Sequence, residues 1–182
     1  MAEKRFYEVI EKTLLGERLS SDDCLVLFQG DDLVALGAAA DQIRNSYHPG
    51  RIATYCVDRN INYTNVCDVY CTFCAFYRPP GGHPESYVRT KEEIKEKIDE
   101  LYSLGGKQIL LQGGHHPDLR IEWYEGLFSW MKAEYPDLHL HALSPPEIYH
   151  ISKLEDMPFE VVINRLHQAG LDSIPGGGGE IL

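Results

Sequence analysis

Three thiols stand close together in the stretch CDVYCTFC: Cys67, Cys71 and Cys74, spaced C-x-x-x-C-x-x-C. Thiols at such spacing hold a metal or carry electrons. The chain has five cysteines in all. An odd number with three packed together is not a disulfide framework, and in a reducing compartment it reads as metal binding or redox chemistry. Thiolates are the preferred ligands of iron–sulfur clusters. A four-iron cubane on three thiolates keeps one iron without a protein ligand, which suits a cluster that binds a substrate rather than one that only passes electrons. A zinc ion is the alternative. Zinc prefers four ligands, commonly as two pairs of Cys or His; no clear second pair is present, and His83 is the nearest fourth candidate. Three buried thiols without a metal are a further alternative, which a loop position disfavours. Spacing and position favour the cluster. Cys24 and Cys56 stand apart from the motif and read as small packing residues.

The elements around this loop follow from hydrophobic periodicity. IATYCVDRNIN, just before it, is rich in β-branched and aromatic residues and predicts a strand over 52–62. TKEEIKEKIDELYSLGG predicts a helix, with Thr90 and Glu93 as a capping box, Ile94, Ile98 and Leu101 as its apolar stripe and Gly105 as its stop. KQILLQGG is a buried strand ending in two glycines. IEWYEGLFSWMKAEY repeats the helix with Tyr124, Leu127, Phe128 and Met131, and LHLHALS repeats the strand. Ser144, Pro145 and Glu147 open another helix. PFEVVINRLHQAG is helical with Phe159, Val162, Ile163 and Leu166, and LDSIPGGGG is a strand running into glycines. The strand centres near Ile109, Leu140 and Asp172 recur about every thirty residues, the length of one strand–helix unit.

The predicted class is therefore α/β, with a parallel sheet, right-handed crossovers and four strands. Residues 51–182 read as about four (βα) units of a TIM-type barrel. Residues 1–50 read as an N-terminal helical segment: a helix over about 4–15 with Phe6, Val9, Ile10 and Thr13 on one face, then two short helices. Ser21 is expected to cap the first of these and Gly30 to end it, with Leu33, Leu36 and Ile43 near one face of the second. A closed barrel takes about eight units and roughly 250 residues. The 182 residues are thus expected to be the amino-terminal half of a longer barrel, the alternative being a half-barrel that stands alone or dimerises.

Bulk composition narrows the function classes. The formal net charge is −11, which argues against a nucleic-acid binder, since phosphate neutralisation needs clustered Lys and Arg. No stretch approaches the roughly 18 consecutive apolar residues of a membrane span. The amino terminus, MAEKRFYEVIEKTLL, carries charges throughout and no apolar signal region. A cytoplasmic protein without membrane or nucleic-acid partners is expected.

The cysteine motif, with the aromatic Phe73 before the third cysteine and a strand before the loop, resembles the signature of the radical S-adenosylmethionine superfamily. The resemblance implies a [4Fe–4S] cluster on Cys67, Cys71 and Cys74, with S-adenosyl-L-methionine chelated to the fourth iron and cleaved to a 5′-deoxyadenosyl radical. A narrower resemblance covers nearly the whole chain. The stretches DRNINYTNVCDVYCTFCAFYRPPGGHPESYV, ILLQGGHHPDL, HLHALSPPEI and AGLDSIPGGGGEIL resemble the dehypoxanthine futalosine cyclase family of the futalosine route to menaquinone. That family implies a nucleoside substrate, abstraction of its ribose C4′ hydrogen, ring closure onto its aromatic group, and reduced flavodoxin or ferredoxin as electron donor. Its members run about twice as long as this chain. Sibling radical enzymes, the aminofutalosine synthases and deazaflavin cofactor synthases, share the loop and the barrel, and an inactive fragment is a further possibility.

The remaining candidates each have a plain structural alternative. In the superfamily a glycine turn such as Gly113–Gly114 meets the methionine amino group, and the acidic residue usual after it is replaced here by His115; the alternative is an ordinary turn. Ser144 and Glu147 are candidates for the cofactor's ribose or carboxylate, or form a capping box. His115 and His116 are the best proton-transfer candidates, or exposed loop histidines. Asp58 and Asn60, with Arg59 between them, are placed near the end of the first strand as substrate contacts, or make strand-end hydrogen bonds. Tyr77, Arg78 and Glu85 follow the cluster loop, and Arg78 suits the benzoate of the implied substrate. The glycines of Pro175–Glu180 offer backbone amides to an anion or nucleoside, or belong to a frayed terminus.

Overall fold

The computed structural model describes residues 2–50 and 52–176. The chain divides into two compact units, Met1–Thr54 and Tyr55–Leu182.

The first unit is helical: α1 (Ala2–Leu14), α2 (Ser21–Phe28) and α3 (Leu33–Tyr47). Phe6, Val9 and Ile10 are buried as the 3–4 spacing requires, and Phe6 and Ile10 share a small core with Ala39. The cap of α2 is Ser20 rather than Ser21; its hydroxyl accepts from the Asp23 N–H, and the Asp23 carboxylate returns to the Ser20 N–H at 3.0 Å. The sequence SSDD offers two serines, and only the first has the acidic partner three residues on. On α3, Leu36 packs against this core beside Ala39 and Ile43 is half-buried, as the expected face requires, while Leu33 at the start of the helix is exposed.

The second unit is a strand–helix repeat: β1 (Asp58–Asn62), α4 (Lys91–Ser103), β2 (Gln108–Gln112), α5 (Ile121–Glu134), β3 (His139–Ala142), α6 (Pro145–Glu155) and α7 (Phe159–Gln168). The strands are parallel in the order β1-β2-β3, with Asn60 beside Leu110 and Leu110 beside His141. Ile61, Ile109, Leu111, Leu140 and Ala142 alternate along the strands onto the buried face. Helix α4 covers them with Ile94, Ile98 and Leu101, and α5 with Tyr124, Leu127, Phe128 and Met131. Burial of each such side chain contributes about 1.5–3 kcal/mol. The Thr90–Glu93 capping box forms as expected. On α7, Val162 and Leu166 are buried while Phe159 and Ile163 stay largely exposed.

Two strand expectations are corrected. Residues 52–57 are not part of β1, because β2 begins at Gln108 opposite Asp58 and offers those residues no partner. β propensity alone does not make a strand without a neighbour to pair with. Among the described residues there are three strands and not four. The segment around Asp172 makes a single parallel bridge, His141 to Ser173, with Ala142 N–H donating to Ser173 O at 2.9 Å. Residues 177–180 of the glycine loop lie outside the described residues. The result is part of a TIM-type barrel whose inner face carries Asn60, Leu110 and His141. No helix among the described residues is long and apolar enough to cross a membrane.

Candidate metal and cofactor site

The three strands end at one edge of the sheet, and the segments that leave them come together there, as sites in parallel sheets do. Tyr63–Cys74 leaves β1, Gly113–His116 leaves β2, and Leu143–Glu147 leaves β3.

The cysteine loop is clamped from one side by the chain that returns toward α4. Arg89 N–H donates to Tyr63 O, Arg78 N–H to Asn65 O and Cys67 N–H to Arg78 O, at 2.7–3.0 Å. Asn65, nearly fully buried, donates to Glu85 O and accepts from Tyr87 N–H, while the Thr64 hydroxyl donates to Tyr87 O at 2.6 Å. Within the loop, Cys74 N–H donates to Cys71 O at 3.1 Å, and Tyr70 takes a φ of 55° that turns the chain between the first two cysteines.

From the other side the loop is held by the turn after β2. Gly114 N–H donates to Thr64 O at 3.0 Å and Asp68 N–H to His115 O at 3.2 Å. Both glycines are required by close approach. A β-carbon on Gly113 would stand 2.6 Å from the ring of Tyr63, and one on Gly114 would stand 2.2 Å from Val66 O and 2.9 Å from Cβ of Cys67. The Gly113–Gly114 pair is thus more than a strand exit: the cysteine loop lies where side chains would be.

Glu147 is buried beneath this turn. Its Oε1 accepts from Gly113 N–H at 3.0 Å and from the Tyr63 hydroxyl at 2.8 Å, and its Oε2 accepts from the Ser144 hydroxyl at 2.6 Å. Burial pushes its pKa up to about 7, against the pull of the three donors. The Tyr63 hydroxyl, also raised by burial, is 3.4 Å from that of Tyr124. Ser144 is the N-cap of α6, but the carboxylate turns to Gly113 and Tyr63 instead of closing a capping box. Leu143, with a φ of 62°, makes the bend that delivers both residues here, a conformation rare for a bulky side chain.

The two histidines of the turn differ. His115 stacks on His150 of α6 with ring centroids 4.8 Å apart. His150 Nε2 lies 3.1 Å from His116 O, and His116 Nδ1 accepts from Asp118 N–H. Burial lowers the pKa of both His115 and His116, so neutral imidazoles are favoured. His116 lines a recess of about 440 Å3 with Val66, Pro79, Pro80 and Tyr87.

The other expected contacts fall elsewhere. Arg78 bonds Glu85 through Nε at 2.7 Å and loop carbonyls through Nη1, so its guanidinium is part of the clamp. Tyr77 packs edge-on against Tyr70, and Phe73 is exposed. Asp58 begins β1, at the edge opposite the cysteines, and Arg59 pairs with Glu100; Asn60 lies at mid-strand on the inner face. Tyr63, Thr64, Asn65 and His150 were not anticipated from sequence. The pattern NYTN after a predicted strand was the available signal for the first three, and the i, i+3 spacing from Glu147 was that for His150.

The donor set fits an iron–sulfur cluster. The three cysteines are free and part-exposed. They are not among the side chains whose donor atoms converge within 4.8 Å; that arrangement is found only for Asp68, His115 and His150 among the described residues. A single tetrahedral zinc with bonds of about 2.3 Å would need sulfurs converging to about 4 Å, whereas a cluster offers each thiolate its own iron. His83, the nearest candidate for a fourth ligand under the zinc alternative, accepts Glu85 N–H at its Nδ1.

Comparison with known proteins shows likenesses along most of the chain. The profile described as the radical SAM superfamily matches residues 61–177. The chain is 48% identical over 174 residues to a cyclic dehypoxanthine futalosine synthase of Halalkalibacterium halodurans, covering 96% of this chain and 47% of that protein. It is 42% identical to the protein of the same name from Streptomyces coelicolor, with 96% and 44% covered. A 5-amino-6-(D-ribitylamino)uracil–L-tyrosine 4-hydroxyphenyl transferase of Nostoc sp. is 36% identical, with 96% and 46% covered. The chain therefore spans about half the length of the curated relatives it matches. Among solved structures, the FeFe-hydrogenase maturase HydG from Carboxydothermus hydrogenoformans superimposes with a TM-score of 0.65 at 19% identity, covering 95% of this chain and 48% of that one. Methylornithine synthase (PylB) gives 0.58 at 19%, with 92% and 58% covered; both likenesses concern the fold.

Proposed function

Because the chain belongs to the radical SAM superfamily, we propose that Cys67, Cys71 and Cys74 hold a [4Fe–4S] cluster, and that the protein serves the cyclisation of dehypoxanthine futalosine in menaquinone biosynthesis. The supporting observation is the 48% identity to a cyclic dehypoxanthine futalosine synthase over 96% of the chain. When bound, the cluster supplies the electron that cleaves S-adenosyl-L-methionine to a 5′-deoxyadenosyl radical.

The chain's own residues have separate tasks in this reading. The clamp from Asn65 to Arg89 fixes the loop so that three thiolates are presented together. The Gly113–Gly114 turn, free of side chains, lets the cysteine loop seat directly against its backbone at Val66 and Cys67. Neutral His115 and His116, in the turn that bonds the loop at Asp68 N–H, are the candidates for proton transfer. Asn60, exposed on the inner face beside Leu110, is available to a polar nucleoside; Asp58, at the far edge, is a more distant contact. The electron donor is a reduced flavodoxin or ferredoxin, and the reaction is cytoplasmic.

The 36% identity to the hydroxyphenyl transferases favours a second reading, a sibling radical enzyme acting on another substrate. Anaerobic incubation of the reconstituted protein with S-adenosyl-L-methionine, dithionite and each substrate in turn separates the two. Cyclic product from dehypoxanthine futalosine supports the first reading. Turnover of a sibling substrate alone contradicts it.

A further inference from the structure

A pair of glycines imposes no conformation of its own, so the Gly113–Gly114 turn must be held by its surroundings. The contacts that hold it form an unbroken series. Glu147, 4% exposed, accepts from Gly113 N–H and from Tyr63. The Tyr63 ring fills the space beside Gly113, and Gly114 lies against Val66 O and Cys67 Cβ. One carboxyl thus joins the exits of β1, β2 and β3 through Tyr63, Gly113 and Ser144.

We propose that Glu147 is a positioning residue: it fixes the Gly113–Gly114 backbone against the first cysteine of the cluster loop, and so shapes the seat of S-adenosylmethionine without touching it. Both carboxylate oxygens face internal donors, Oε1 two of them and Oε2 the Ser144 hydroxyl. With the side chain buried and these bonds all made to the protein, the geometry favours positioning over the direct contact that its place after β3 suggests. The statement about the cofactor rests on the function proposed above; the statement about the turn does not.

The test uses Glu147→Leu, which keeps volume and removes the acceptors, Glu147→Asp, which keeps the carboxyl but withdraws it from Gly113, and Glu147→Gln, which keeps an acceptor at full reach. Hydrogen exchange over residues 112–115 is read without any cofactor. It rises by about tenfold or more in Glu147→Leu and Glu147→Asp, the effect of losing a hydrogen bond to a charged group, and stays near the unsubstituted rate in Glu147→Gln. In protein with its cluster reconstituted, S-adenosylmethionine affinity falls in the same two variants, and the shift it causes in the electron paramagnetic resonance of the reduced cluster diminishes, with iron content unchanged. If Glu147→Leu does not fold, Glu147→Asp and Glu147→Gln decide. Unchanged exchange in Glu147→Asp overturns the proposal, as does Glu147→Gln binding as weakly as Glu147→Asp, which is the mark of direct ligand contact. If the unsubstituted protein binds no S-adenosylmethionine, the functional reading fails while the exchange rates still decide the role of Glu147.

Discussion

Gly114 and Cys67 touch: a β-carbon on the glycine would stand 2.9 Å from the β-carbon of the cysteine, and 2.2 Å from the carbonyl oxygen of Val66 beside it. The neighbour is backbone and cannot swing aside. Gly114→Ala is therefore expected to displace the cysteine loop, at a cost of about 1–3 kcal/mol for overpacking. Iron and sulfide per chain after reconstitution measure the effect on the cluster; full occupancy with unchanged thermal stability would contradict the contact.

Removing one thiol tests the ligand assignment. Cys71→Ala is expected to lose the brown absorbance of the cluster and the reductive cleavage of S-adenosylmethionine. Metal analysis of the anaerobically purified, unsubstituted protein complements it. One zinc per chain without iron or sulfide would remove the radical chemistry altogether.

Asn65 ties the cysteine loop to the returning chain with two side-chain bonds, to Glu85 O at 3.0 Å and from Tyr87 N–H at 2.9 Å. Asn65→Ala removes both part-buried bonds, each contributing about 0.5–1.5 kcal/mol. Lower thermal stability, with faster proteolysis over 75–88, is the expected result. A variant as stable and as protease-resistant as its parent would show that the clamp is not rigid.

The stability of the protein should carry the titration of Glu147. Its folded pKa is raised from 4.5 to about 7, so the folded state binds this proton more tightly than the unfolded state. The resulting stabilisation is full below about pH 4.5 and is lost as the pH rises to about 7, by an amount of order 3 kcal/mol. His115 and His116, with lowered pKa values, act in the opposite sense as the pH falls through their ordinary range. The comparison to make is therefore between the parent and Glu147→Gln in denaturant unfolding of the apoprotein. The stability difference between them should narrow across that window, and a constant difference would show that Glu147 titrates normally.

Helices and their caps were legible in the sequence wherever the signal was local. The Thr90–Glu93 box and the stripe Ile94, Ile98 and Leu101 appear as read, because the i, i+3 and i+4 relations that make them are contained in α4 itself. Strand limits were less legible. IATYCVDRNIN has strand-forming residues throughout, yet only its last five have a partner, and that partner lies fifty residues on. Ser20 rather than Ser21 caps α2 because only Ser20 has an acidic residue, Asp23, three positions on.

The sequence alone determined the chemistry on offer: three thiols at cluster spacing, two glycines at a strand end, and a strand–helix period that sends the strand ends the same way. Those are properties of residue type and spacing, and no packing is needed to see them. The tertiary structure decided what each group is occupied with. It turned Arg78 to Glu85, Glu147 to Gly113 and Tyr63, and His115 to His150, and it set Gly114 against Cys67. A polar group takes whichever partner the fold brings within reach, and apart from Arg78 and Glu85, seven residues apart, these partners lie more than thirty residues away in sequence.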